Sequence, residues 1–76
     1  MKNEEMQEGM QVRTSETIDA SSLYMCHAFA GDRLENRGPN KLGTVYGQTP
    51  ADSDFWWVIH EDDSMAPYNA SELVRA

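Results

Sequence analysis

Apolar and polar residues alternate along Met10-Gln11-Val12-Arg13-Thr14, and the period of two predicts a strand with one buried face. Gly9 stands before it as a turn residue. A second alternation runs through Leu42-Gly43-Thr44-Val45-Tyr46-Gly47, where Leu42, Thr44 and Tyr46 take one side and Gly43 and Val45 the other. Its glycines point to a bulge or a close backbone crossing. In Phe55-Trp56-Trp57-Val58-Ile59-His60 every residue but the last is apolar, and β-propensity is high throughout. Such a strand is either covered on both faces or presents aromatic surface on one. Glu61-Asp62-Asp63-Ser64 then reads as a tight acidic turn, with Met65 to Tyr68 as the return strand of a hairpin. Asn69 and Glu72 have capping-box spacing, but with few residues following them a single 3-10 turn is the expected product. Leu73 and Val74 form a last short strand that closes against the first.

Between the first two strands the pattern supports two structures. Leu23, Cys26, His27 and Ala30 make a helical stripe, with Asp19, Ser21 or Ser22 to cap it and Gly31 to stop it. A strand from Leu23 to Phe29, with Tyr24, Cys26 and Ala28 on one side, fits as well. Gly38-Pro39-Asn40 is a strong turn signal. Residues 1–8 are charged and show no apolar period, so they read as a disordered acidic tail ahead of a domain spanning residues 9–76.

Composition narrows the function. The chain has 76 residues, with 13 acidic and 6 basic side chains, for a net charge of −7. That is one domain with one core. Its single cysteine, Cys26, forms no internal disulfide. No apolar run approaches the ~20 residues of a membrane helix, and the N-terminus has no secretory hydrophobic segment. The cytoplasm is therefore the expected compartment. Nucleic-acid backbones need positive charge, and here Arg33, Arg37 and Lys41 are diluted by Asp32 and Glu35. His60-Glu61-Asp62-Asp63 offers too few oxygens for a hard cation, and Cys26, His27 and His60 fall one short of a structural zinc site. No phosphate loop or serine-nucleophile elbow is present. No catalytic, cofactor-binding or metal residue is assigned.

The order of elements resembles an SH3-like small barrel. Leu42-Gly43-Thr44-Val45 is similar to the G-x-V second strand of such barrels. Phe55 to Asp63 is similar to their W-V-x-x-D-D-G hairpin, with Ser64 where a glycine often stands, and Tyr68 to Leu73 is similar to their closing turn and last strand. The resemblance implies a mainly β fold: a five-stranded barrel with a short helix or long loop inserted after the first strand and a 3-10 turn before the last. Closure would bring Val12, Val45, Val58 and Leu73 into one core. The hairpin match turns Val58 inward together with Trp56 and His60, whereas burying Phe55, Trp57 and Ile59 would supply more apolar volume.

Adjacent Trp56 and Trp57 point to opposite sides of their strand. In peptide-binding SH3 domains the first tryptophan of such a pair lines the ligand groove with tyrosines, and Trp56 is the matching position. The expected partner-binding face is therefore Trp56, Tyr24, Tyr46 and Tyr68. The expected function is a small non-catalytic protein-interaction module for a protein or peptide, with the acidic charge favouring a basic one. An acidic homodimer built on the same face is one alternative. The other is an oligomeric enzyme resembling the plasmid-encoded, trimethoprim-resistant dihydrofolate reductases, to which Gly31-Asp32-Arg33-Leu34 and Gly43-Thr44-Val45 are similar. Where those enzymes carry V-Q-I-Y this chain has Met65-Ala66-Pro67-Tyr68, retaining only the tyrosine.

Overall fold

A computed structural model describes residues 1–18, 38–48 and 53–76. Five strands form one antiparallel sheet: β1 (Gln11–Thr14), β2 (Leu42–Gln48), β3 (Phe55–His60), β4 (Met65–Asn69) and β5 (Leu73–Arg75), in the order β4-β3-β2-β1-β5. The expected strands all occur, and β5 does pair with β1, with Thr14 opposite Leu73. A 3-10 turn, Ala70–Glu72, precedes β5 as its capping spacing implied. In its capping box the Glu72 carboxylate accepts the Asn69 N–H at 2.8 Å. Closure is where the structure departs from the sequence reading. The sheet is not closed into a barrel; β4 and β5 are its two edges. The helix-or-strand alternative around Tyr24 lies outside the described residues.

Although open, the sheet bends enough to gather one core from every strand. Val12, Val45, Val58, Tyr68 and Leu73 are all at most 1% exposed, and Trp56, Ala66, Ala70 and Met6 join them. The bend is local to β2. Its pairing with β3 shifts register between Val45 and Gly47, which leaves Tyr46 in a bulge. Gly47 has φ +151°, a backbone that favours glycine. Gly43 is needed for a different reason. A Cβ there would run into the Val58 side chain and stand 3.1 Å from the Ile59 carbonyl oxygen. Because part of that obstacle is backbone, Gly43→Ala is expected to cost about 2 kcal/mol. A urea melt with a lowered midpoint and unchanged slope would show it.

Two turns hold the strands in place. In the Gly38-Pro39-Asn40 turn, Asn40 has φ +61°, the left-handed position that often follows proline in such turns. Fully buried Thr14 ties that turn to β1. Its hydroxyl donates to the Gly38 carbonyl at 2.6 Å and accepts the Lys41 N–H at 2.8 Å. Its backbone N–H donates to Lys41 and its carbonyl accepts from Asn40, each at 3.0 Å. Thr14→Val keeps the shape and removes the hydroxyl bonds, so a loss of about 1–3 kcal/mol is expected in the same kind of melt. In the β3–β4 turn, Asp63 has φ +68° and donates its N–H to the His60 carbonyl at 3.0 Å. The Asp62 carboxylate accepts both the N–H and the hydroxyl of Ser64, at 3.1 and 2.6 Å. The glycine-like backbone of this hairpin therefore falls on Asp63, not on Ser64.

Residues 1–8, read from sequence as a disordered tail, pack against the domain in the structure. They carry a 3-10 turn, Asn3–Glu5, and place Met6 in the core. The Trp56 indole N–H donates to Asn3 Oδ1 at 3.1 Å. The Met1 amine donates to the carbonyls of Ala70 and Leu73, at 3.1 and 2.9 Å. Gly9, at φ +85°, donates its N–H to Val45 at 2.7 Å and turns the chain into β1.

Candidate functional site

The face expected to bind a partner divides in two. On β3, Trp56, Val58 and His60 point into the core while Phe55, Trp57 and Ile59 take the outer side. Trp56 is only 9% exposed and sits beneath the N-terminal segment. Tyr68 is fully buried. Neither is placed to touch a partner. Tyr24 lies outside the described residues. Of the three described, Tyr46 is the one at the surface, 57% exposed on the β2 bulge.

Tyr68 has an internal role instead. Its hydroxyl lies 2.7 Å from His60 Nε2, and the two rings meet edge to face with centroids 5.7 Å apart. His60 Nδ1 is 2.9 Å from the Leu42 carbonyl oxygen. A carbonyl only accepts, so Nδ1 carries the proton of that bond. In the neutral ring Nε2 then accepts from the tyrosine hydroxyl. This polar chain joins β2, β3 and β4 inside the core.

The outer side assembles a different set. Strand register puts Trp57 opposite Gly47 on one side and Pro67 on the other. Tyr46 stands beside Gly47 in the bulge, and Phe55 lies two residues before Trp57 on the same side of β3. Phe55 is 42% exposed, and Trp57 is half-buried. Phe55 and Trp57 were absent from the sequence-derived face. The signal that could have found them is the inward assignment of Val58, which sends both to the opposite side.

Carboxylates accompany these residues. The Glu8 side chain approaches to 3.6 Å from where a Gly47 Cβ would stand. Exposed Asp54 immediately precedes Phe55. Exposed Glu61 and Asp63 lie beyond the far end of β3. A polar cleft of about 270 Å³ is lined by Met1, Asn3, Asp54, Asn69, Ala70 and Ser71. Among the described residues, no group of three or more histidine, cysteine or acidic side chains is placed to hold a metal ion. None of their helices is long and apolar enough to cross a membrane. Comparisons with protein families, with curated proteins and with solved structures find no match to this chain.

Proposed function

We propose that this chain is a small non-catalytic protein-interaction module that engages its partner through the outer aromatic face of β2 and β3. The observation that carries the reading is the exposure of two rings, Tyr46 and Phe55, on the paired strands β2 and β3, where half-buried Trp57 stands opposite Gly47. Clustered exposed apolar surface costs solvation and solubility, and it marks interaction sites in soluble domains. Aromatic side chains suit such a site because they bring large contact area with few rotatable bonds. The core offers a contrast. His60 is buried, with both ring nitrogens in internal hydrogen bonds, so it serves packing rather than a substrate. An SH3-like relationship is supported by the strand order and by the 3-10 turn before β5. The reductase alternative gains nothing from β4, where Ala66, Pro67 and Tyr68 are all buried.

Replacing Tyr46 and Phe55 together by serine tests the reading. Both are exposed, so unfolding stability is expected to change by less than about 1 kcal/mol. Immobilised wild-type chain should retain a defined protein that the double variant loses. Identical retention by the two would overturn the assignment of this face.

A further inference from the structure

We infer that the partner of the Tyr46–Phe55 face is a basic polypeptide segment bearing apolar side chains, and that it lies across the strands instead of adding a strand to the sheet. This rests on the proposed reading of that face, and two observations extend it.

The first is charge. The chain carries −7 overall. The Glu8 side chain reaches the Gly47 position beside Trp57, exposed Asp54 precedes Phe55 in sequence, and exposed Glu61 and Asp63 follow the end of β3. The exposed basic residues among those described are Lys2, Arg13, Lys41 and Arg75. None of them adjoins Tyr46, Phe55 or Trp57 in sequence or in strand register. A partner with lysine or arginine around an apolar anchor meets complementary charge there. A second copy meets its own charge. A two-fold contact sets the same patch against itself, so it would oppose these carboxylates to one another.

The second observation concerns the edges. In the β3–β4 ladder, His60 donates its N–H to Ser64. Hydrogen-bonded pairs alternate along an antiparallel ladder, so the backbone groups of Met65, Pro67 and Asn69 face outward along β4. Proline has no N–H to offer, and the Asn69 N–H is already held by Glu72 at 2.8 Å. At the opposite edge, Ser15 donates to Glu72 and Ala76 donates to Gln11, which turns Arg75 outward on β5 and Leu73 with it. The Leu73 N–H bonds to Ala70 and its carbonyl accepts from the Met1 amine. Each edge is therefore interrupted, β4 at Pro67 and Asn69 and β5 at Leu73, so an added strand would meet a broken ladder on either. The open aromatic face remains.

The test is selection of a random peptide library displayed on phage against the full chain, with the Tyr46→Ser, Phe55→Ser double variant as counter-selection. The expected peptides combine net positive charge with aromatic or aliphatic residues and lose at least about tenfold in affinity on the double variant. Raising salt from about 50 to about 300 mM should weaken them about fivefold or more, as screening shortens the reach of the carboxylates. Amide chemical-shift changes should centre on Tyr46, Phe55 and Trp57. Selected peptides that are neutral or acidic yet still depend on Tyr46 and Phe55 would overturn the basic partner while leaving the face in place. Peptides whose shift changes run along β4 or β5 would overturn docking across the strands. If no selected peptide depends on the two rings, the face itself is wrong. Dimerisation in sedimentation equilibrium that the double variant abolishes would make a second copy the occupant and overturn the inference.

Discussion

Trp56→Ala is expected to remove about 3–5 kcal/mol of stability, the range for emptying a large aromatic site in a packed core. The ring is 9% exposed, belongs to the hydrophobic core cluster and gives its N–H to Asn3. A chain of 76 residues has about 4–11 kcal/mol of total stability at typical per-residue values. At the lower end of that range the variant would lie near its unfolding midpoint without denaturant. Trp57→Ala, on the half-buried outer side, is expected to cost less than half as much. Urea melts of the two variants, followed by far-ultraviolet circular dichroism, make the comparison. A larger loss for Trp57 than for Trp56 would reverse the assignment of inner and outer faces, and with it the candidate site.

The second large effect is expected at Tyr68, which is fully buried and bridges β4 to His60. Tyr68→Ala should cost about 3–5 kcal/mol through lost packing. Tyr68→Phe keeps the ring and removes only the hydroxyl that meets His60 Nε2, so about 1–2 kcal/mol is expected. Pairing Tyr68→Phe with His60→Ala in a double-mutant cycle should return a coupling energy of about 1 kcal/mol, because the two groups touch directly. Strict additivity would mean that the 2.7 Å contact contributes nothing to stability.

Much of the strand plan was legible because period-two alternation survives wherever one face is buried. Val12 and Thr14, Gly43 and Val45, and Val58 and His60 all point inward as a simple alternation places them. The β3–β4 hairpin and the turn before β5 were legible from local chemistry in the same way. Periodicity does not tell which side of an almost wholly apolar strand is the core. For β3 the volume argument favoured Phe55, Trp57 and Ile59, while the hairpin match favoured Trp56, Val58 and His60. The latter prevails because the neighbouring strands commit Val45 and Tyr68 to that side. Matching Trp56 to a ligand groove failed for another reason. What covers it comes from Asn3, separated by 53 positions in sequence. No local pattern announces such a contact, and a charged segment with two methionines gave no sign that Met6 would be buried. Closure was over-read because a short last strand pairing with the first does not require β4 and β5 to meet.

The knot around Thr14 fixes the end of β1 to the approach to β2. Gly38, Asn40 and Lys41 all bond to this one residue, so residue 14 and residues 38–41 stay together whatever length of chain joins them. The entropy of joining such ends grows slowly, by about 0.6 kcal/mol for each doubling of length. As far as ring closure is concerned, residues added between these ends cost little, and the knot keeps β1 and β2 in register.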